Sequence, residues 1–145
     1  MKQYWWILCL AMLGCEQTKI NKAWEKDLII KTLKKETKYF CERDLANWQE
    51  QWSHEPFVSK MYGGSHEFEW FNNWESINQF TLDHIAQNPE PIPIPESNFD
   101  YEIHLFGETA WVFFSKNVEG QKVQETRFMV KEKGQWKIAR MQTIF

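Results

Sequence analysis

The chain has little of what staples or punctuates a small protein: of its 145 residues, three are Cys, five Pro and six Gly. Cys9 and Cys15 fall at the very start, which leaves Cys41 alone in everything that follows. One cysteine cannot close an internal disulfide, so a disulfide-framed fold is excluded and Cys41 reads as a small buried residue. There is no concentrated basic face. Seventeen Lys and Arg stand against twenty Asp and Glu, for a net charge of −3, and the basic residues are scattered singly or in pairs. A phosphate backbone needs a dense basic surface, so nucleic acid is not a partner on this reading. Gly-rich phosphate loops, nucleophile elbows and kinase signatures are missing. His54-Glu55 and His66-Glu67-Phe68-Glu69 lack the helical His pair of zinc hydrolases, so neither a metal nor a cofactor is expected. No apolar run is long enough to cross a bilayer, which takes about 20 residues as a helix.

The longest apolar run is Tyr4 to Leu13, uncharged throughout and preceded by Met1-Lys2-Gln3. Its length and its positive flank suit a signal-peptide core. Gly14 directly before Cys15 resembles a lipobox, with Met12 and Leu13 where the pattern prefers other residues. The expectation is a signal peptide over 1–14, acylation at Cys15, a polar tether over 15–22 and a domain over 23–145. Such a protein is exported and lipid-anchored to a bacterial membrane, facing the periplasm or the cell surface.

Nine Trp and eleven Phe supply the mass of a core, since each such ring can bury about 150–250 Å². Apolar residues recur with helical spacing from Ala23 to Cys41, and Lys and Glu fill the opposite side. A second helix is predicted from Asp44 to Trp52, with Leu45, Trp48 and Trp52 on one face. Phe57 to Tyr62 reads as a short strand ahead of Gly63-Gly64. A third helix is predicted from Asn73 to Gln87, stopped by Asn88-Pro89. The following Pro89-Glu90-Pro91-Ile92-Pro93-Ile94-Pro95 must be extended and reads as a stiff connector.

From Asn98 the period becomes two. Strands are predicted at Phe99–Phe106, Ala110–Val118, Val123–Lys131 and Gln135–Phe145, with Gly107, Gly120 and Gly134 in the turns. Three helical segments followed by a meander imply an α+β domain, helices packed on one face of an antiparallel sheet. Tyr101, Ile103, Leu105, Ala110, Val112, Phe114, Thr126, Phe128 and Val130 are expected to face the core. The alternating set then puts His104, Trp111, Phe113, Glu125, Arg127, Met129 and Met141 outside. Trp111, Phe113 and Met129 make that outer face apolar enough to suggest a homodimer.

The chain resembles the nuclear-transport-factor-2-like superfamily, in particular its SnoaL-like branch. Gly107-Glu108-Thr109-Ala110-Trp111-Val112, Thr126-Arg127-Phe128-Met129-Val130-Lys131 and the hairpin Glu132-Lys133-Gly134-Gln135-Trp136-Lys137-Ile138 carry the likeness. It implies a cone: a curved antiparallel sheet wrapped around three N-terminal helices, with a cavity at the open end. Members include isomerases, cyclases and dehydratases, and also binding domains without catalysis, so the fold does not decide the function.

The enzymatic version of that family needs a cavity Asp or His as base. Gln142 stands where many such sequences place a His on the last strand, and an amide cannot take a proton near neutral pH. Asp100, Asp44, Tyr39 and Tyr101 are the remaining candidates for an isomerase-like site; Asp44 is equally a helix cap. For a binding domain the candidates are Trp70, Phe71, Trp48, Trp52 and Tyr39, around a small apolar ligand. Three readings stay open: a non-catalytic module for such a ligand or a protein partner, an isomerase- or cyclase-like enzyme, and a structural lipoprotein acting through a dimer face.

Overall fold

A computed structural model describes residues 21–65, 67–96, 98–118 and 120–145. The expected signal peptide, the expected acylation site at Cys15, nearly all of the expected tether and His66 lie outside them. Helix α1 runs over Lys22–Glu42. Asn21 caps its start by accepting the Trp24 N–H at 3.3 Å, and Arg43 ends it in the left-handed region at φ 63°. Ile29, Thr32, Leu33 and Cys41 form its buried stripe, while Trp24 stands exposed. Asp44 accepts the Asn47 N–H at 3.2 Å and so caps α2, Leu45–Gln49. Beyond it the chain is pinned to the sheet: Ser53 N–H donates to the Ile138 carbonyl, and Ile138 N–H to that of Gln51. Helix α3, Trp74–Gln87, is capped by Asn73, whose Oδ1 accepts the Ser76 N–H at 2.8 Å.

The strands are β1 (Ser59–Gly63), β2 (Phe68–Phe71), β3 (Glu102–Phe106), β4 (Thr109–Val118), β5 (Gln121–Glu132) and β6 (Gln135–Ile144). They form one sheet in the order β2-β1-β6-β5-β4-β3. The meander β3–β6 is antiparallel, as expected. Two features depart from the expectation. The sheet has six strands, because Phe68–Phe71 adds a hairpin to β1; and β1 joins β6 in parallel, Lys60 beside Met141 and Tyr62 beside Thr143. The wrap of a curved six-stranded sheet around the helices is otherwise the α+β cone. Lys133 and Gly134, both at positive φ, make the two-residue turn between β5 and β6. That turn type requires two positive φ values, hence the glycine.

Curvature has a local cause. Phe128 pairs with Arg140 but Met129 pairs with Ile138, so Ala139 is an extra residue on β6. A bulge of this kind bends the sheet and reverses the alternation beyond it. Ile138 faces the core before it, and Met141 and Thr143 face inward after it.

On β5 the sequence reading is reversed at Glu125, Arg127 and Met129, while Val130 is buried as expected. Glu125, Arg127 and Met129 are buried, and Met129 is fully enclosed in the core. Residues directly opposite on paired strands share a face, and Val112 opposes Arg127 while Trp111 opposes Phe128. The reading failed because it assigned two charged residues to solvent, whereas here they neutralise each other inside. The outer stripe is accordingly Trp111, Phe113 and Phe128, without Met129. Trp111 lies 4.9 Å from Phe128 and 6.2 Å from Phe113, ring centre to ring centre.

Candidate functional site

Helix α1, the Pro-rich segment and strands β1, β4, β5 and β6 enclose a cavity of about 470 Å³. Its depth and its mouth differ in chemistry. Cys41, Lys60, Arg127 and Thr143 are buried, whereas Ile92, Val118 and Phe145, which also line it, are exposed. The extended connector is thus one wall. Ile92 N–H donates to the Cys41 carbonyl at 3.0 Å and Arg43 Nε to the Glu90 carbonyl at 3.1 Å, which ties that wall to the end of α1. A second, more open hollow of about 610 Å³ by the β1–β2 turn shares Tyr62 and Phe145 with the cavity mouth.

A buried ion cluster sits on the sheet side. Glu125 Oε2 accepts from Arg127 at 2.6 Å and from the Thr143 hydroxyl at 2.8 Å, and its Oε1 lies 2.5 Å from Lys116 Nζ. Burial alone would raise this carboxyl, but Arg127 and Lys116 outweigh it and hold it below the usual carboxylate range. Arg127 also donates to the Thr126 carbonyl at 3.0 Å and rests over the Phe114 ring. On α1, Glu36 Oε1 accepts the Trp48 indole N–H at 2.9 Å.

Lys60 is the outlier. It is only 4% exposed, and its Nζ lies among the rings of Tyr62, Phe80 and Trp48, at 5.3, 5.3 and 5.9 Å from their centres. Burial brings its pKa down to about 8, opposed by Glu36 and assisted by Arg127. Burial likewise pushes the Tyr62 phenol and the Cys41 thiol up.

The residues singled out from the sequence are distributed otherwise. Asp44 caps α2, and Asp100 is exposed in the loop before β3; neither lines the cavity. Tyr39 packs, half-buried, against the core beside the lining residue Phe40. Tyr101 lines a small side crevice with Phe114 and Arg127, and burial raises its phenol. Trp48 and Trp52 are core rings 5.8 Å apart, buried beneath the site rather than presented to it. Trp70 is 63% exposed and shares a face with Met61, opposite to Lys60 and Tyr62. Phe71 packs on Phe80 at 4.5 Å, and so helps to cover Lys60. Gln142 alternates with the lining residues Met141 and Thr143, so it points away from the cavity; the bulge at Ala139 sets that parity.

No family model and no curated protein sequence matches the chain. Solved structures do. An NTF-2 like protein of unknown function from Silicibacter pomeroyi DSS-3 superposes with a TM-score of 0.63 at 12% identity, over 86% of this chain and 98% of that one. A second, from Shewanella oneidensis MR-1, gives 0.57 at 16% identity, over 83% and 99%. A protein of unknown function with a cystatin-like fold from Nostoc punctiforme PCC 73102 gives 0.58 at 11% identity, over 84% and 91%. At these identities the likeness is one of architecture, and the architecture of this chain is the NTF2-like, cystatin-like fold.

Proposed function

We propose that this chain is an exported, lipid-anchored binding domain that holds a small amphipathic molecule in its cone without transforming it. The cavity carries the reading: its volume of about 470 Å³ falls within the ~300–1,000 Å³ of small-molecule sites, which are apolar with a few placed polar groups. The lining carboxylate Glu36 is engaged by the Trp48 indole, and Glu125 behind the lining by two cations and Thr143. A general base needs a free lone pair aimed at its substrate, so these contacts favour retention over turnover. Export and anchoring rest on the Met1–Cys15 pattern; no helix of the described residues is long and apolar enough to cross a membrane.

Native mass spectrometry of the full chain purified from its own host tests the reading. A retained mass of a few hundred daltons is expected, and it should be lost in Met141→Trp, which puts an indole into the cavity. Apo protein alone, together with no binding by any of a panel of amphipathic small molecules, would overturn it.

The stripe of Trp111, Phe113 and Phe128 favours a second property, pairing of two copies through the outer sheet face. Trp111 and Phe113 are both exposed beside the half-buried Phe128, and contiguous apolar area of this kind marks interaction surfaces. Sedimentation of the parent chain should show a dimer, and Trp111→Glu should shift it to monomer with unchanged far-ultraviolet dichroism. A parent chain that sediments as a monomer at high micromolar concentration removes this reading.

A further inference from the structure

The cavity lining is unbalanced in charge, and the imbalance is localised. Three cations line it, Lys60, Lys116 and Arg127, with Glu36 the one lining carboxylate among the described residues; Glu125 lies behind the lining, 0% exposed at its side chain. Glu125 serves Lys116 with one oxygen and Arg127 with the other. Glu36 is turned to the Trp48 indole. Among the described residues no carboxylate oxygen lies within 4.0 Å of Lys60 Nζ. A buried ammonium without a counterion is costly, and the fold nevertheless places one at the closed end of a cavity. Tyr62, two residues along β1 and on the same face, brings a phenol to the same hollow. Toward the mouth the lining turns apolar, with Met141, Ile92, Pro93, Val118 and Phe145.

We infer that the ligand is a small carboxylic acid with an apolar body, its carboxylate paired with Lys60 at the closed end and its body running out past Met141, Ile92 and Phe145. The inference rests on the binding reading above and names the ligand class. Lys116 and Arg127 each have a carboxylate partner in Glu125, and Lys60 has none among the described residues, so one unpaired cation meets one anionic head group. The carboxylate supplies the counterion that the fold omits. A charge-assisted hydrogen bond to an ammonium is about twice as strong as a neutral one, so the head group contributes selectivity as well as affinity.

The groups facing Lys60 are Glu36 on α1, Tyr62 on β1, Glu69 on β2, and Glu125 and Arg127 on β5. Lys116 and Cys41 complete the titratable lining. Tyr62 and Cys41 are both raised by burial, so they stay neutral while Lys60 loses its proton above pH 8. The ligand should therefore weaken over a pH range in which its own carboxylate stays ionised.

Calorimetric titration of the full chain with octanoate and with octan-1-ol, matched in chain length, tests this. At pH 7 octanoate should bind at least tenfold more tightly than the alcohol. Lys60→Met should abolish the preference while its dichroism spectrum remains that of the parent. The parent itself provides the independent measurement: between pH 7 and 10 octanoate affinity should fall by tenfold or more and octan-1-ol affinity should not. Equal affinity for both probes would overturn the acid class and leave the cavity-binding function standing. Binding of neither would overturn both.

Discussion

Replacing Glu125 by Ala should destabilise the domain by about 3–5 kcal/mol, the usual consequence of removing one member of a buried ion pair. One carboxylate holds three groups, the Arg127 guanidinium, the Lys116 ammonium and the Thr143 hydroxyl. Without it, Arg127 is left buried beneath Phe114 with only backbone carbonyls to accept from it. Against a typical total of about 5–15 kcal/mol, such a loss removes a large part of the fold's margin. The sign with pH follows from the same contacts. Glu125 titrates below its unfolded value, so its contribution is complete above the unfolded pKa and is lost as pH falls through the folded one. Urea unfolding of the parent should therefore weaken from about pH 5 downward, and the Ala variant should lack that component. A double replacement, Glu125→Leu with Arg127→Met, should recover most of the loss, because an apolar pair leaves no orphaned charge. If the single variant unfolds within 1 kcal/mol of the parent, the cluster is not a structural support.

That cluster also marks where the sequence was legible and where it was not. The helices were readable because their caps and stops are local chemistry: Asn73 opens α3, and Asn88-Pro89 closes it. The meander was readable because Gly107, Gly120 and Gly134 punctuate a period of two, and all three adopt positive φ. Which face of β5 points inward was not. Val123, Glu125, Arg127 and Met129 share one parity, with Gln124, Thr126, Phe128 and Val130 on the other. Each set holds two apolar residues, so hydrophobicity alone does not choose. The available signal was the pairing of opposite charges at i, i+2, which a strand brings to one side and which makes burial of both affordable. Lys60 had a weaker signal, a lone cation between Val58 and Tyr62 in a strand of five residues. The parity of Met141 and Gln142 depends on the extra residue Ala139, visible only once β5 and β6 are paired. The parallel joining of β1 to β6 is equally non-local, as no turn connects them. Trp48 and Trp52 have the i, i+4 spacing of a ligand-stacking pair, but both indoles are buried and pack in the core.

Lys60→Met is expected to do the opposite of Glu125→Ala and stabilise the ligand-free protein. The pKa falls from an ordinary 10.5 to about 8, which corresponds to about 3 kcal/mol favouring the neutral amine. At pH 7 the folded protein still carries the charge, so that penalty is fully present. It is released as pH rises from about 8 toward 10.5, because over that interval the unfolded chain binds the proton more tightly than the folded one. Methionine keeps the unbranched apolar stem and removes the ammonium. The variant should therefore exceed the parent by up to about 3 kcal/mol at pH 7, a rise in melting temperature of roughly 6–10 °C for a domain of this size. The gap should close toward pH 10. The raised phenol of Tyr62 works in the other direction above pH 10, since there the unfolded state loses its proton first, but parent and variant share it and the difference between them does not. Paired thermal melts at pH 7, 8.5 and 10 give the answer. A variant less stable than the parent at pH 7 would mean that the rings of Trp48, Tyr62 and Phe80 hold the ammonium by cation–π attraction strongly enough to repay its burial. A gap that does not change with pH would mean that Lys60 is not the group whose charge is penalised. The predicted pattern has a functional corollary. A residue that destabilises the empty domain and is neutralised by a bound acid ties occupancy to stability, so adding octanoate should narrow the difference between parent and variant at pH 7.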